Sequence, residues 1–478
     1  MPSKEEMVDH AKRLERYWKK RTEQRLMVRR LRDLDPDTSI ANDPKRPLDL
    51  AKLQRVIVTD PRSYWNWAIA TLANEPFKWR SPPNATNEET AKAGRLERLA
   101  YGIDWQMDDL AMRTGLMPWR YGLAAQIVSG WYAVRPFTDK IGDAVVFRME
   151  FYDPTSVFQE WDYEGLVRCA RKSKMTRQAA SAHIVANGGR ILTGSPEEHL
   201  DCIDYWERKG GVVENAFIVA DEMALSPVQQ PFRSIPIFTG PVAGYGSEDA
   251  GEGDMVSPVI TMGQSILDTP MTAYQHRNQM ATLLREWARR AVFPSIKPTA
   301  QGAVEIVKPG DMEAGQSAVL PLKPGETVEY LPLPPVPVDV RILMEGFQQE
   351  IEMATVPASM YGVNRPQAAS GYLEKLLQIQ ATIRLGAYDV VYNRVAEAIM
   401  TWFVREVKNR NMKVALRSED LTKRGLSGIF LDDYGPEDVP ETFVLKAQHE
   451  LLSPIDKQAI SSRTLGEVQQ GARSMESG

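Results

Sequence analysis

The sequence predicts an α+β protein. Three observations point to that class: helical periodicity towards both ends, a run of strand-like segments between residues 131 and 239, and the separation of the two along the chain instead of strand–helix alternation. The predicted order is helices, a mixed strand-rich body, a helix, a small β-rich module, a second helix, a loop, a very long helix and a short tail.

Each element has a local reason. Residues 5–34 repeat apolar positions (Met7, Ala11, Leu14, Trp18, Leu26, Leu31) among Lys, Arg and Glu, which predicts one charged amphipathic helix with a single packed stripe. Acids interleave its bases, which argues against a nucleic-acid arm. Asp60 followed by Pro61 is an N-cap with proline at the first helical position, opening a helix that runs to Ala73. Helical patterns recur over Glu88–Leu99, Asp104–Arg113 and Pro118–Val128. Texture then changes. Trp131–Phe137, Ala144–Tyr152, Ser156–Trp161 and Leu166–Ser173 read as strands, the last two joined by a hairpin turn at Asp162–Gly165. Thr176 caps a short helix that ends at Asn187 and Gly188. Leu200–Glu207, Glu214–Ala220 and Ile235–Thr239 are further strands, and the glycine-rich acidic stretch 240–254 is a linker.

The second half is dominated by helix. Val256–Arg290 carries one pattern, with Pro270 as a kink or joint. Short strands (Val304–Val307, Val319–Leu322, Val328–Leu331) lie between Pro-Gly turns at 309–310 and 324–325. A helix over Val340–Ala354 breaks at Pro357 into a loop ending at Gly371. No proline then interrupts Tyr372–Asn411, where Leu376, Ile379, Ile383, Ala387, Val390, Val391, Val395, Ile399, Trp402, Phe403 and Val407 keep three-and-four spacing. At the usual rise this is roughly 58 Å of helix. A helix of that length suits a strut in an assembly better than the wall of a pocket. Phe443–His449 reads as a strand and Pro454–Arg473 as short helices.

Composition narrows the function. The chain has 478 residues, 43% apolar and 25% charged, which is ample for a core and for about three domains. A net charge of −5 is wrong for a high-affinity clamp on phosphates. The two cysteines, Cys169 and Cys202, form no CxxC pair, so neither a disulfide framework nor a zinc site is expected. The start of the chain lacks an apolar signal core and no run reaches the length of a membrane span, so cytoplasmic synthesis and no membrane partner are expected.

Catalytic signatures are sparse. His10, His183, His199, His276 and His449 are scattered and form no metal-binding pair. Gly189–Ser195 has the glycine spacing of a phosphate loop without its lysine. Gly244 and Gly246 run into Glu248 and Asp249, where a dinucleotide site needs bare backbone. Ser265 lacks the second glycine of a nucleophile elbow. Two acidic clusters, Glu248–Asp254 and Asp432–Asp433 with Glu437–Asp438, have the chemistry to hold Mg²⁺. Both fall in turn-rich, exposed-looking segments. No catalytic residue, metal or cofactor is expected.

The chain nonetheless resembles the portal proteins of tailed bacteriophages. Four places carry the resemblance: Asp60–Pro76; Tyr152–Thr155 with Phe158–Asp162 and Gly165; Ile235–Ile237; and Ala354–Gly362 with Ser370, Gly371 and the long helix. The resemblance implies a portal-type subunit. It would have a wing over 1–255 (helices plus mixed sheet), a first stem helix over 256–290, a small β-rich clip over 291–337 and a second stem helix over 338–356. A tunnel loop over 357–371, a long kinked wing helix over 372–411, a wing return over 412–451 and a short helical crown over 452–478 would follow.

It further implies a homo-oligomeric ring of about twelve copies at one capsid vertex of a virion. Double-stranded DNA would be packaged and ejected through it. The terminase large subunit and a head–tail adaptor would dock at the clip, with major capsid or scaffolding protein around the wing. Tyr361, Asn364, Arg365 and Gln367 in the loop are candidates for transient contact with DNA, or ordinary loop residues. His276, Arg277 and Arg285 on the first stem helix either face the channel or pair with acids on a neighbour. Two residue-level arguments agree with this. A small β module on two helices cannot bury much core alone, so a neighbouring copy is its natural cover. A mildly acidic chain also suits a conduit in which DNA must slide. The competing readings are another ring-forming virion assembly protein, such as an adaptor, and a metal-dependent nucleic-acid enzyme built on Asp432–Asp433.

Overall fold

The structure is a computed structural model. It describes residues 4–35, 55–82, 87–141, 144–220, 222–244, 262–292, 296–299, 327–330, 338–356, 371–419 and 429–448. The described elements mix helices with antiparallel sheets, so the class is α+β. The chain divides into two compact units. The first comprises Met1–Arg29, Tyr64–Asp268 and Ser359–Gly478, and the second Arg30–Ser63 and Thr269–Ala358.

The N-terminal helical run is two helices, α1 (Lys4–Tyr17) and α2 (Lys19–Asp33), broken at Trp18. α3 covers Asp60–Ala73 and is followed by the short strand β1 (Lys78–Arg80). The two helices expected over 88–113 are a single one, α4 (Asn87–Arg113), because the sequence between them holds no helix breaker stronger than Gly102. α5 (Trp119–Val128) starts after Pro118.

The strands of the body follow: β2 (Trp131–Ile141), β3 (Ala144–Phe151), β4 (Val157–Asp162) and β5 (Gly165–Thr176). α6 (Arg177–Ala186) comes next, then β6 (His199–Lys209), β7 (Val212–Val219), β8 (Glu222–Gln230) and β9 (Phe238–Pro241). The Thr176 hydroxyl accepts from Ala179 N–H and caps α6 as expected. β8 was not anticipated, since its sequence lacks clean alternation and contains Pro227. It sits at a sheet edge, where a missing N–H is tolerated.

β4 to β8 form a five-stranded antiparallel meander in sequence order, and β3–β2–β9 form a second sheet. Alternation within the meander decides which face each side chain meets. Ile203, Tyr205, Ala216 and Ile218 pack with Met7, Ala11 and Leu14 of α1 and with Trp18 at the break after it. Leu200, Cys202, Phe217 and Val219 point the other way and pack with Ala180 and Ile184 of α6. The five-stranded sheet is therefore covered on both faces.

The long helix α9 runs over Gly371–Asn409. Its buried face is Leu385, Tyr388, Tyr392, Val395, Ile399, Phe403 and Val407, whereas Ile383 and Val390, expected on the same stripe, are exposed. The three-and-four rule admits two apolar faces here, and packing selects one. β12 (Val414–Glu419) and β13 (Ile429–Tyr434) form a hairpin, and β14 (Lys446–Gln448) pairs with β1.

In the second unit, α7 covers Met271–Val292. The helical pattern predicted from Val256 starts only after Pro270, whose ring favours a first-turn position; 256–261 lie outside the described residues. β10 (Ile296–Thr299) pairs antiparallel with β11 (Thr327–Tyr330), and α8 covers Val338–Ala354. The strands expected at 304–307 and 319–322, and the helices at 454–473, lie outside the described residues.

Candidate functional site

The second unit holds the residues singled out for a channel. Its two helices, α7 and α8, pack against each other, and the His276 ring meets Phe347 with centroids 5.6 Å apart. The extended segment Arg55–Val58 lies along α7. Val58 N–H donates to Asn278 Oδ1 at 3.0 Å and Val56 N–H to Thr282 Oγ1 at 3.0 Å. Thr282 Oγ1 in turn donates to Asn278 O at 2.8 Å. Asn278 and Thr282 are buried one turn apart, so α7 offers a polar ladder to a backbone that has no sheet partner there.

The sequence candidates fare differently. Arg277 is ion-paired with Asp60 and is held within the unit. His276 and Arg285 are exposed. Tyr361, Asn364, Arg365 and Gln367 lie outside the described residues. So does the 248–254 acidic cluster. Asp432 and Asp433, read as turn residues, stand in β13 opposite Leu416 and Ala415. Asp438 is engaged by Arg95 at 2.8 Å and by Gly435 N–H at 2.9 Å. Among the described residues no group of His, Cys, Asp and Glu has the geometry of a metal site, and no helix is long and apolar enough to cross a membrane.

The strongest electrostatics lie in the first unit and serve its architecture. Arg21 is fully buried beside the Trp18 and Trp131 rings, 4.9 and 4.7 Å from their centroids, and donates to Val157 O at 2.7 Å and Pro154 O at 3.1 Å. Burial pushes its pKa down to about 9, with the Arg25 charge adding to the effect, so it stays charged at neutral pH. Arg25 pairs with Asp268 at 2.7 Å and donates to the Ser129 and Gly263 carbonyls. Those carbonyls belong to a stitched junction in which Val242 N–H donates to Gly130 O, Gln264 N–H to Val242 O and Ile266 N–H to Val128 O. Gly263 sits at φ +69°, and a Cβ there would collide with the Gly130 carbonyl oxygen.

Asp104 is the second buried charge. It accepts from Trp79 Nε1 at 3.0 Å and Trp119 Nε1 at 2.6 Å, and both indoles ring Phe77 with Tyr392 of α9. Burial, reinforced by the neighbouring Asp108 carboxylate, pushes Asp104 up to about 6. The sequence reading missed Arg21, Arg25 and Asp104. The available signal was a charged residue repeated at helical spacing on an apolar face: Arg21 and Arg25 continue the stripe of Leu14 and Trp18.

No protein family of known profile matches the chain, and no curated protein does. Among solved structures, it is similar to a chain in the neck of an empty gene transfer agent particle computed with C6 symmetry (15% identity, TM-score 0.36, covering 72% of this chain and 76% of that one). It is also similar to a chain in the virion of a native gene transfer agent particle (12%, 0.36, 85% and 84%). A third is in the neck of the native particle computed with C12 symmetry (13%, 0.34, 84% and 84%). At such TM-scores the likeness transfers neither fold nor function.

Proposed function

We propose that this chain is the portal subunit of a tailed-phage-like particle, a non-enzymatic ring protein through which double-stranded DNA enters and leaves a capsid. The observation that carries the reading is the second unit: two helices packed side by side, with the paired strands β10 and β11 between them in sequence, just before a helix of 39 residues. Such a module buries little of itself and needs neighbours. In this reading α7 and α8 form the stem and β10–β11 belong to the clip that docks the terminase large subunit and then the adaptor. Residues 357–371 form the tunnel loop, and the first unit is the wing against capsid or scaffolding protein.

Electron microscopy of the purified full chain, with its native mass, tests this. The expected result is a ring of about twelve copies with an axial hole wide enough for duplex DNA. A species that stays monomeric or dimeric at every concentration overturns it.

A further inference from the structure

α1 and α2 turn one face inward and another to solvent, and the fold sorts their charges between the two. Trp18 N–H donates to Leu14 O and Thr22 N–H to Trp18 O, so the helical phase carries across the break at Trp18. Met7, Ala11, Leu14, Trp18, Arg21 and Arg25 form the inward stripe. Lys12, Arg13, Arg16, Lys19 and Lys20 lie on the opposite side, and all are exposed. Between Asp9 and Glu23 the sequence holds one acid, Glu15, and it pairs with Lys172 of β5. Arg21, Arg25 and Arg29 are engaged within the unit by backbone carbonyls, Asp268 and Asp153. Acids and bases that alternate along the chain are thus separated in space. Five positive charges share one face with no negative charge among them.

The make-up of this face identifies its partner. Leu14, Tyr17 and Trp18, the apolar residues of the stretch, are all buried, so nothing apolar stands among the bases. A stable protein interface has an apolar centre and few lysines. A helix that binds a membrane surface needs a free apolar face, and here that face is packed on the sheet. Phosphate backbones, by contrast, are held by Lys and Arg alone. Lys12 to Lys20 spans roughly 12 Å of helix. Over that length one strand of a duplex sets about four phosphates.

We infer that the outer face of α1 and the start of α2 (Lys12, Arg13, Arg16, Lys19, Lys20) binds the phosphate backbone of duplex DNA without reading its sequence. The net charge of −5 does not oppose this. Within a Debye length of about 8–10 Å a phosphate meets the local face, not acids elsewhere on the chain. The site goes beyond the portal reading and does not require it, because it belongs to the first unit and uses none of the residues assigned to a channel.

Titration of the full chain into a closed circle of duplex DNA, followed by electrophoretic mobility, tests it. A closed circle cannot thread a preformed axial hole, so binding reports the outer surface whether or not rings form. With about four phosphate contacts, raising salt from 50 to 200 mM is expected to weaken binding about 150-fold. Arg16→Gln/Lys19→Gln/Lys20→Gln is expected to weaken binding at the lower salt by about 10-fold or more and to cut the log–log salt slope from about −3.6 to about −1. Lys174→Gln/Arg190→Gln/Lys209→Gln removes the same charge from other exposed positions of the unit and is expected to change binding less than about twofold. No binding by the parent chain at the lower salt, or equal losses in the two triple variants, overturns the inference. Poly-glutamate bound as tightly as the circle also overturns it and reassigns the face to an acidic protein. A chain that stays monomeric yet binds the circle with the expected slope overturns the ring reading and leaves this site standing.

Discussion

At the scale of single residues, the buried charges of the first unit make the sharpest predictions. Asp104 has a folded pKa of about 6, above that of an exposed aspartate near 4, so the fold favours its protonated form. Its contribution to stability is fully present below about pH 4 and is lost as pH rises through about 6. Urea unfolding should therefore show a stability on the order of 2 kcal/mol lower at pH 7 than at pH 4 from this group, and Asp104→Asn should flatten that slope. Asp108 is pushed up by burial too, which leaves a residual slope of the same sign. Arg21→Ala removes two hydrogen bonds to backbone carbonyls and a cation between two indoles, and opens a cavity. It should cost about 3 kcal/mol by the same measurement. Gly263→Ala meets both a positive φ and a backbone oxygen that cannot move aside, so a loss of more than about 2 kcal/mol is expected.

At the scale of elements, hydrogen bonding and ion pairing along α7 can be ranked. Asn278 is buried and is the acceptor for Val58 N–H, so Asn278→Ala strands a donor and should destabilise by about 1–2 kcal/mol. The Arg277–Asp60 pair is partly open to solvent, with side-chain exposures of 22% and 40%, and Arg277→Ala should cost less than about 1 kcal/mol. Thermal melts of the two variants decide the order. If Arg277→Ala proves the more damaging, the ion pair rather than the polar ladder holds the Arg55–Val58 segment to the helix. On the portal reading proposed above, deletion of 361–367 should leave ring assembly intact and impair packaging or retention of DNA, read by electron microscopy and by the DNA content of assembled particles.

At the scale of the whole molecule, the ring reading proposed above predicts that assembly stabilises each subunit by mass action. The unfolding midpoint should then rise with protein concentration. A concentration-independent midpoint for a parent chain that is oligomeric would place the cooperative unit within one subunit.

Much of the architecture was legible because its signals are local. The α+β class, the meander strands, the Thr176 cap, the Asp162–Gly165 turn and the uninterrupted long helix all follow from periodicity, capping and turn chemistry within a few residues. Other features depended on contacts distant in sequence. The strand β8 exists because β7 offers an edge, and α4 is continuous although its pattern suggested a break. Exposure of Ile383 and Val390 was decided by which face of α9 found partners. The candidate site divides in the same way. His276, Arg277 and Arg285 could be named from sequence, but that Arg277 is bound by Asp60, 217 positions away, could not. Nor could the interior role of Asp104, which sequence alone would place in water; for Arg21 the only signal was its helical spacing from Leu14 and Trp18. Most helices and strands can be placed from the chain alone, because backbone preference and apolar period act at short range. Which charges are buried, and which apolar face of α9 is covered, depends on what distant segments bring alongside.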